Sequence, residues 1–211
     1  MYSNLTSQIS LTLTDRKATL VQVEDLCTSA LSNKFYSVCV PPLFVKKAKE
    51  LLAGSSIKVC TVIGFPYGYN AIEAKLAEIV LAIVDGADEL DMVINMTALS
   101  NADWQYLARE LSSVLPIVQK QHTALTIVIE SNLVSPEDLV KCCDLYGAAG
   151  VQNCSLSTGI EAALPGLQTV GLLRQHLADS VGIKVTGIFK DEVEMKLYGA
   201  AGAGYLGVQG R

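Results

Sequence analysis

Residues 58–95 read KVCTVIGFPYGYNAIEAKLAEIVLAIVDGADELDMVIN. The first seven residues are a short apolar run closed by Gly64, which suits a buried strand. From Asn70 and Glu73 the pattern changes period. Ile72, Leu76, Ile79, Val80 and Ile83 fall on one helical face, and Gly86 stops the helix. Residues 89–95 return to a strand-like run. A strand, a helix and a second strand within 38 residues make one βαβ unit, the building block of a parallel sheet covered by helices.

The same rhythm extends in both directions. Strand-like segments fall at 8–14, 36–40, 58–64, 89–95, 125–130, 150–155, 182–187 and 204–209. Helix punctuation separates them. Thr19 with Gln22 forms a capping-box pattern, Pro41-Pro42 opens a run that ends at Gly54, and Ser135-Pro136 with Asp138 is a cap followed by a proline in the first turn. Asp191 starts a helix that stops at Gly199. Pro116 is expected to end or kink the helix between 101 and 122. The phrases GADEL, GAAGV and GAGYL repeat a sharp helix-to-strand return. No strand is followed by GxGxxG or a Walker-type loop, so the expected fold is a closed (β/α)₈ barrel, an α/β single domain over 1–211, and not a nucleotide-binding open sheet.

Composition narrows the function. The chain has 211 residues, half of them apolar, and a formal net charge of -5. Its 16 basic residues are scattered, which argues against nucleic acid as a partner. Apolar stretches are broken within about ten residues, too short to span a membrane. The start MYSNLTSQIS has neither a basic n-region nor an apolar core, so the cytoplasm is the expected location. Six cysteines (27, 39, 60, 142, 143 and 154) form no CxxC pair and read as reduced core thiols. The only two histidines, His122 and His176, sit on helical stretches, so neither a catalytic zinc nor a Ser-His-Asp triad is expected.

Barrel strands alternate inward and outward residues. That alternation directs Ser10, Thr12, Cys39, Asp91, Asn95, Glu130, Gln152, Cys154, Lys184, Thr186 and Gln209 inside. Lys184, in GIKVTG, and Asp91, in DELDMVIN, stand out because an inward lysine needs a partner. Together they are a structural ion pair, or a reactive amine with a proton-transfer partner. Cys39 reads first as a core thiol, Asp88 and Glu89 as a solvated turn. Gly187 and the glycines at 207–210 could offer backbone N–H groups to a phosphate.

The phrases VCVPPLFV, TVIGFPYG, GADELDMVIN, LTIVIE and GIKVTG resemble deoxyribose-phosphate aldolase over almost the whole chain. The resemblance implies a (β/α)₈ barrel and metal-free, cofactor-free class I aldol chemistry, joining acetaldehyde to glyceraldehyde 3-phosphate through a lysine Schiff base. It implies Asp91 as the proton-relay aspartate, Lys184 as the second lysine and Cys39 as the pocket cysteine. The family's Schiff-base lysine stands in a phrase like FVKTSTG. Here GVQNCSLSTG places Gln152 at that position, with STG three residues late. Ser10 replaces an early aspartate, Gly187-Ile188 a glycine pair, and Gln209-Gly210 a phosphate-holding serine pair. Asn95, Gly187 and Gln209, with Cys39 and Gln152, are the expected substrate contacts.

Three readings follow. One is an altered aldolase with the Schiff base moved to Lys184. A second is a non-catalytic barrel that binds a small sugar phosphate, an aldehyde or a protein partner. The third is other carbonyl chemistry carried by Lys184 and Asp91. Without a second lysine beside it, and with Asp91 favouring its charged form, Lys184 is expected to be a poor nucleophile. Family members suggest a homo-oligomer.

Overall fold

The computed structural model describes residues 5–160 and 163–209. Eight parallel strands close on themselves in sequence order: β1 Ile9–Thr12, β2 Ser37–Val40, β3 Lys58–Ile63, β4 Glu89–Val93, β5 Ala124–Val128, β6 Asn153–Ser155, β7 Gly182–Gly187 and β8 Tyr205–Gln209. β8 returns to pair with β1, so no strand edge is left unpaired. The helices α1 Leu20–Asn33, α2 Val45–Leu51, α3 Ile72–Val84, α4 Met96–Ser100, α5 Trp104–Lys120, α6 Pro136–Ala149, α7 Leu167–His176 and α8 Glu192–Ala201 lie in the connections between strands. The chain is a (β/α)₈ barrel.

Local sequence sets most of the element ends. Thr19 caps α1 reciprocally with Gln22, Ser135 accepts from Asp138 N above Pro136, and Asp191 accepts from Glu194 N to start α8. α6 and α8 end at Gly150 and Gly202, both in the left-handed region that a glycine adopts without steric penalty. Pro116 does not end α5, which runs through it to Lys120. The buried stripe of Leu107, Leu111, Val114, Leu115 and Val118 outweighs the one hydrogen bond that a proline removes.

The main core lies between the barrel and its helices. Leu90, Met92, Ile127, Ile183 and Val185 point outward into it, against Ile79, Leu107, Leu111 and Val170. Cys154 belongs to this outer layer with Cys142, Cys143 and Tyr146, not to the barrel interior. Val80 is half exposed; the buried face of α3 is made by Ile72, Lys75, Ile79 and Ala82, and Lys75 is fully buried.

Gly68 marks the closest backbone approach at the mouth. Its φ is +68°, and a Cβ there would lie 1.9 Å from the carbonyl oxygen of Ile94. Backbone cannot yield as a side chain can. Gly68→Ala should therefore cost on the order of 2–4 kcal/mol. At roughly 2–4 °C per kcal/mol for a chain of this size, the expected fall in Tm is about 5 °C or more. A thermal melt showing no change would contradict this reading of the β3–α3 loop.

Candidate active site

The strand alternation that puts Ile183 and Val185 outward turns Lys184 into the barrel, and the same logic on β4 turns Asp91 inward between Leu90 and Met92. Lys184 Nζ donates to Asp91 Oδ2 at 2.6 Å, and both side chains are buried. The pair spans the interior between two strands that are not neighbours. Below it lies a cavity with room for about one water (about 20 Å³), lined by Ser10, Tyr36, Ser37, Glu89, Asn153, Lys184 and other residues from the starts of the strands. Above it a second small pocket of about 10 Å³ is bordered by Thr12, Cys39, Val62, Asp91, Ser157 and Thr186. This upper pocket shares Thr14, Val62 and Phe65 with a wide cleft of about 840 Å³ over the ends of β1–β3. Of the pair, Asp91 borders the upper pocket and Lys184 the lower cavity.

Burial is the largest influence on Lys184 and favours the neutral amine. Asp91 beside it, with the sulfurs of Cys60 and Cys39, outweighs that effect and leaves the pKa above the ordinary lysine value. Lys184 is thus an ammonium through neutral and moderately alkaline pH. Beneath it, Tyr36 Oη donates a short hydrogen bond to Glu89, and burial raises the carboxyl pKa of Glu89. Glu89 is the first residue of β4 and faces the lower cavity, so it is not part of a solvated turn.

Several expected site residues lie elsewhere. Gln152 is exposed, precedes β6 and borders an outer crevice with Gln119 and His122. The strand register explains why. Ser155, not Gln152, pairs with Lys184 across β6 and β7. Alignment on STG (Ser157 to Gly159) without a gap places Ser155 at the lysine of FVKTSTG, and the three-residue offset disappears. Ser155 is buried, and its hydroxyl donates to Ser157 O at 3.1 Å.

Asn95 follows the end of β4, where the chain turns into α4 and strand alternation no longer applies. Its side chain caps that helix by accepting from Ala98 N. Gly187 is covered by Leu164, whose Cδ2 would lie 2.6 Å from a Cβ built there. Gln209 is half-buried and ties β8 to the loop after β6 by donating to Gly159 O. Glu130 accepts from Thr158 N and Oγ1 at 3.1 and 2.6 Å and so orients the same loop. Gly210 and Arg211 lie outside the described residues. Cys39 does enter the interior, and its strand partner Cys60 joins it there.

A closed parallel barrel holding a lysine–carboxylate pair at its centre is the arrangement expected of a class I aldolase barrel. The chain matches the DeoC/LacD family aldolase model over residues 7–137. It is 37% identical to a deoxyribose-phosphate aldolase of Lysinibacillus sphaericus, covering 98% of this chain and 92% of that protein. A deoxyribose-phosphate aldolase of Thermoanaerobacter pseudethanolicus is 35% identical, covering 97% and 92%. Among solved structures, the tetrameric deoxyribose phosphate aldolase of Aeropyrum pernix superposes with a TM-score of 0.90 at 26% identity, covering 99% of this chain and 88% of that one. The chain belongs to the DeoC/LacD aldolase family, a family of class I aldolases. Among the described residues, no helix is long and apolar enough to cross a membrane.

Proposed function

We propose that this protein is an aldolase-family barrel that binds a small sugar phosphate or hydroxyaldehyde without forming a Schiff base. One observation carries the reading: the residue in register with Lys184 on β6 is Ser155, which has no amine. A serine hydroxyl cannot condense with an aldehyde to an iminium. Among the described residues Lys184 is the one lysine bordering the central cavities, its hydrogen bond goes to Asp91, and its raised pKa keeps it protonated. An ammonium has no lone pair to attack a carbonyl.

What the pair can do is hold charge and hydrogen bonds in a dry place. Asp91 borders the upper pocket and can accept from a ligand hydroxyl, while Lys184 fixes the carboxylate's orientation and charge. The upper pocket is too small for a sugar, so the body of the ligand would lie in the cleft bordered by Thr14, Arg16, Phe44 and Phe65, with Arg16 as a cation for its phosphate. Likeness to a tetrameric relative supports a homo-oligomer, and family chemistry supports a cytoplasmic role.

The test uses 2-deoxyribose 5-phosphate with the intact protein. Millimolar ligand should raise Tm by a few degrees, Asp91→Asn should abolish the rise, and acetaldehyde release should stay at the background of a Lys184→Met variant. Steady acetaldehyde release well above that variant would overturn the proposal.

A further inference from the structure

Cys39 and Cys60 are direct neighbours across β2 and β3, and both point into the barrel. Their sulfurs and a carboxylate oxygen of Asp91 all lie within 4.8 Å of one another, and all three residues are buried. We propose that this trio is a binding site for one thiophilic divalent cation of the zinc class, held by two thiolates and one carboxylate.

The spacing fits without a large rearrangement. In a tetrahedral site with metal–sulfur bonds of about 2.3 Å, two sulfurs stand about 3.8 Å apart, so closing onto an ion takes shifts of at most about 1 Å. Lys184 engages one oxygen of Asp91, Oδ2, which leaves the other for the ion. The fourth position would face the upper pocket, which touches both Cys39 and Asp91 and has room for one water. That pocket adjoins the wide cleft, so an entry route exists.

Charge also balances. Binding releases two thiol protons. A divalent cation, two thiolates, the Asp91 carboxylate and the Lys184 ammonium then sum to zero.

The test needs no carbonyl ligand, so its failure is distinguishable from failure of the proposed function. Reduced protein is titrated anaerobically with Cd²⁺ while the near-ultraviolet sulfur-to-metal charge-transfer band is followed, and equilibrium dialysis gives the stoichiometry. One ion per chain is expected, with the band lost in Cys39→Ser and in Cys60→Ser. Asp91→Asn should weaken binding tenfold or more. A Cys142→Ser/Cys143→Ser variant should bind as the parent does. Far-ultraviolet circular dichroism checks each fold, with Cys60→Ala as the alternative where Cys60→Ser does not fold. A folded parent protein that takes up no Cd²⁺, or a band that survives in the Cys39→Ser/Cys60→Ser double variant, would overturn the site.

Discussion

Ser155→Lys should convert this barrel into a Schiff-base former. Residue 155 pairs with Lys184 on the adjacent strand, where neighbouring strands run about 4.8 Å apart. Two inward ammonium groups that close cannot both stay charged in a buried site, so one pKa falls and a neutral amine appears. Asp91 and Lys184 are already in place to move protons next to it. Acetaldehyde with borohydride should then leave a reduced adduct on residue 155. Cleavage of 2-deoxyribose 5-phosphate should rise on the order of 10²-fold over the parent. Ser155→Met, which fills similar space without an amine, should do neither. An inert but folded Ser155→Lys would mean that the altered mouth, including Leu164 over Gly187, also blocks productive binding.

The second large effect concerns stability. Lys75 on α3 and Glu110 on α5 form an ion pair 2.6 Å long with no exposed surface on either side chain. Lys75 also donates to Val93 O at 2.7 Å, and the second oxygen of Glu110 accepts from Asn95 N at 3.2 Å. The pair therefore clamps the backbone at the end of β4, two residues beyond Asp91. Burial, the largest effect on both, pulls Lys75 down and pushes Glu110 up, and their mutual attraction opposes it. Removal of one partner strands a charge in the core. Lys75→Met should cost about 3–5 kcal/mol, a fall in Tm of about 10 °C. The double variant Lys75→Met/Glu110→Leu should recover much of that loss, because an apolar pair can replace a buried ion pair. A double variant no more stable than the single one would show that the ties to Val93 O and Asn95 N, and not the stranded charge, dominate.

The barrel was legible because its signals are local and repeated. Most helices carry a side-chain cap or a glycine stop of their own, and the strands are bounded by turns. Lys184 and Asp91 were legible because an alternating strand leaves no doubt about which side a residue faces in its middle. At strand ends that rule fails. Asn95 turned into a helix cap, and Gln152 fell before β6 began, because the start of a three-residue strand cannot be fixed by period alone. Anchoring on STG would have found Ser155 from the sequence. Lys75 gave no signal of burial, since a lysine on a helix is ordinarily solvated and its partner lies 35 residues away. Cys60 was hidden for the opposite reason: a cysteine in an apolar strand reads as core on either face.

Among the described residues the barrel interior offers no neutral amine, and Lys184 is held as an ammonium by Asp91. Borohydride reduction with acetaldehyde, run on the parent protein at pH 7 and pH 9 and read by intact mass with peptide mapping, tests this. The raised pKa of Lys184 predicts no adduct there at either pH. A stoichiometric reduced adduct on Lys184, lost in Lys184→Met, would contradict the account and make this protein a Schiff-base aldolase with its nucleophile moved one strand over.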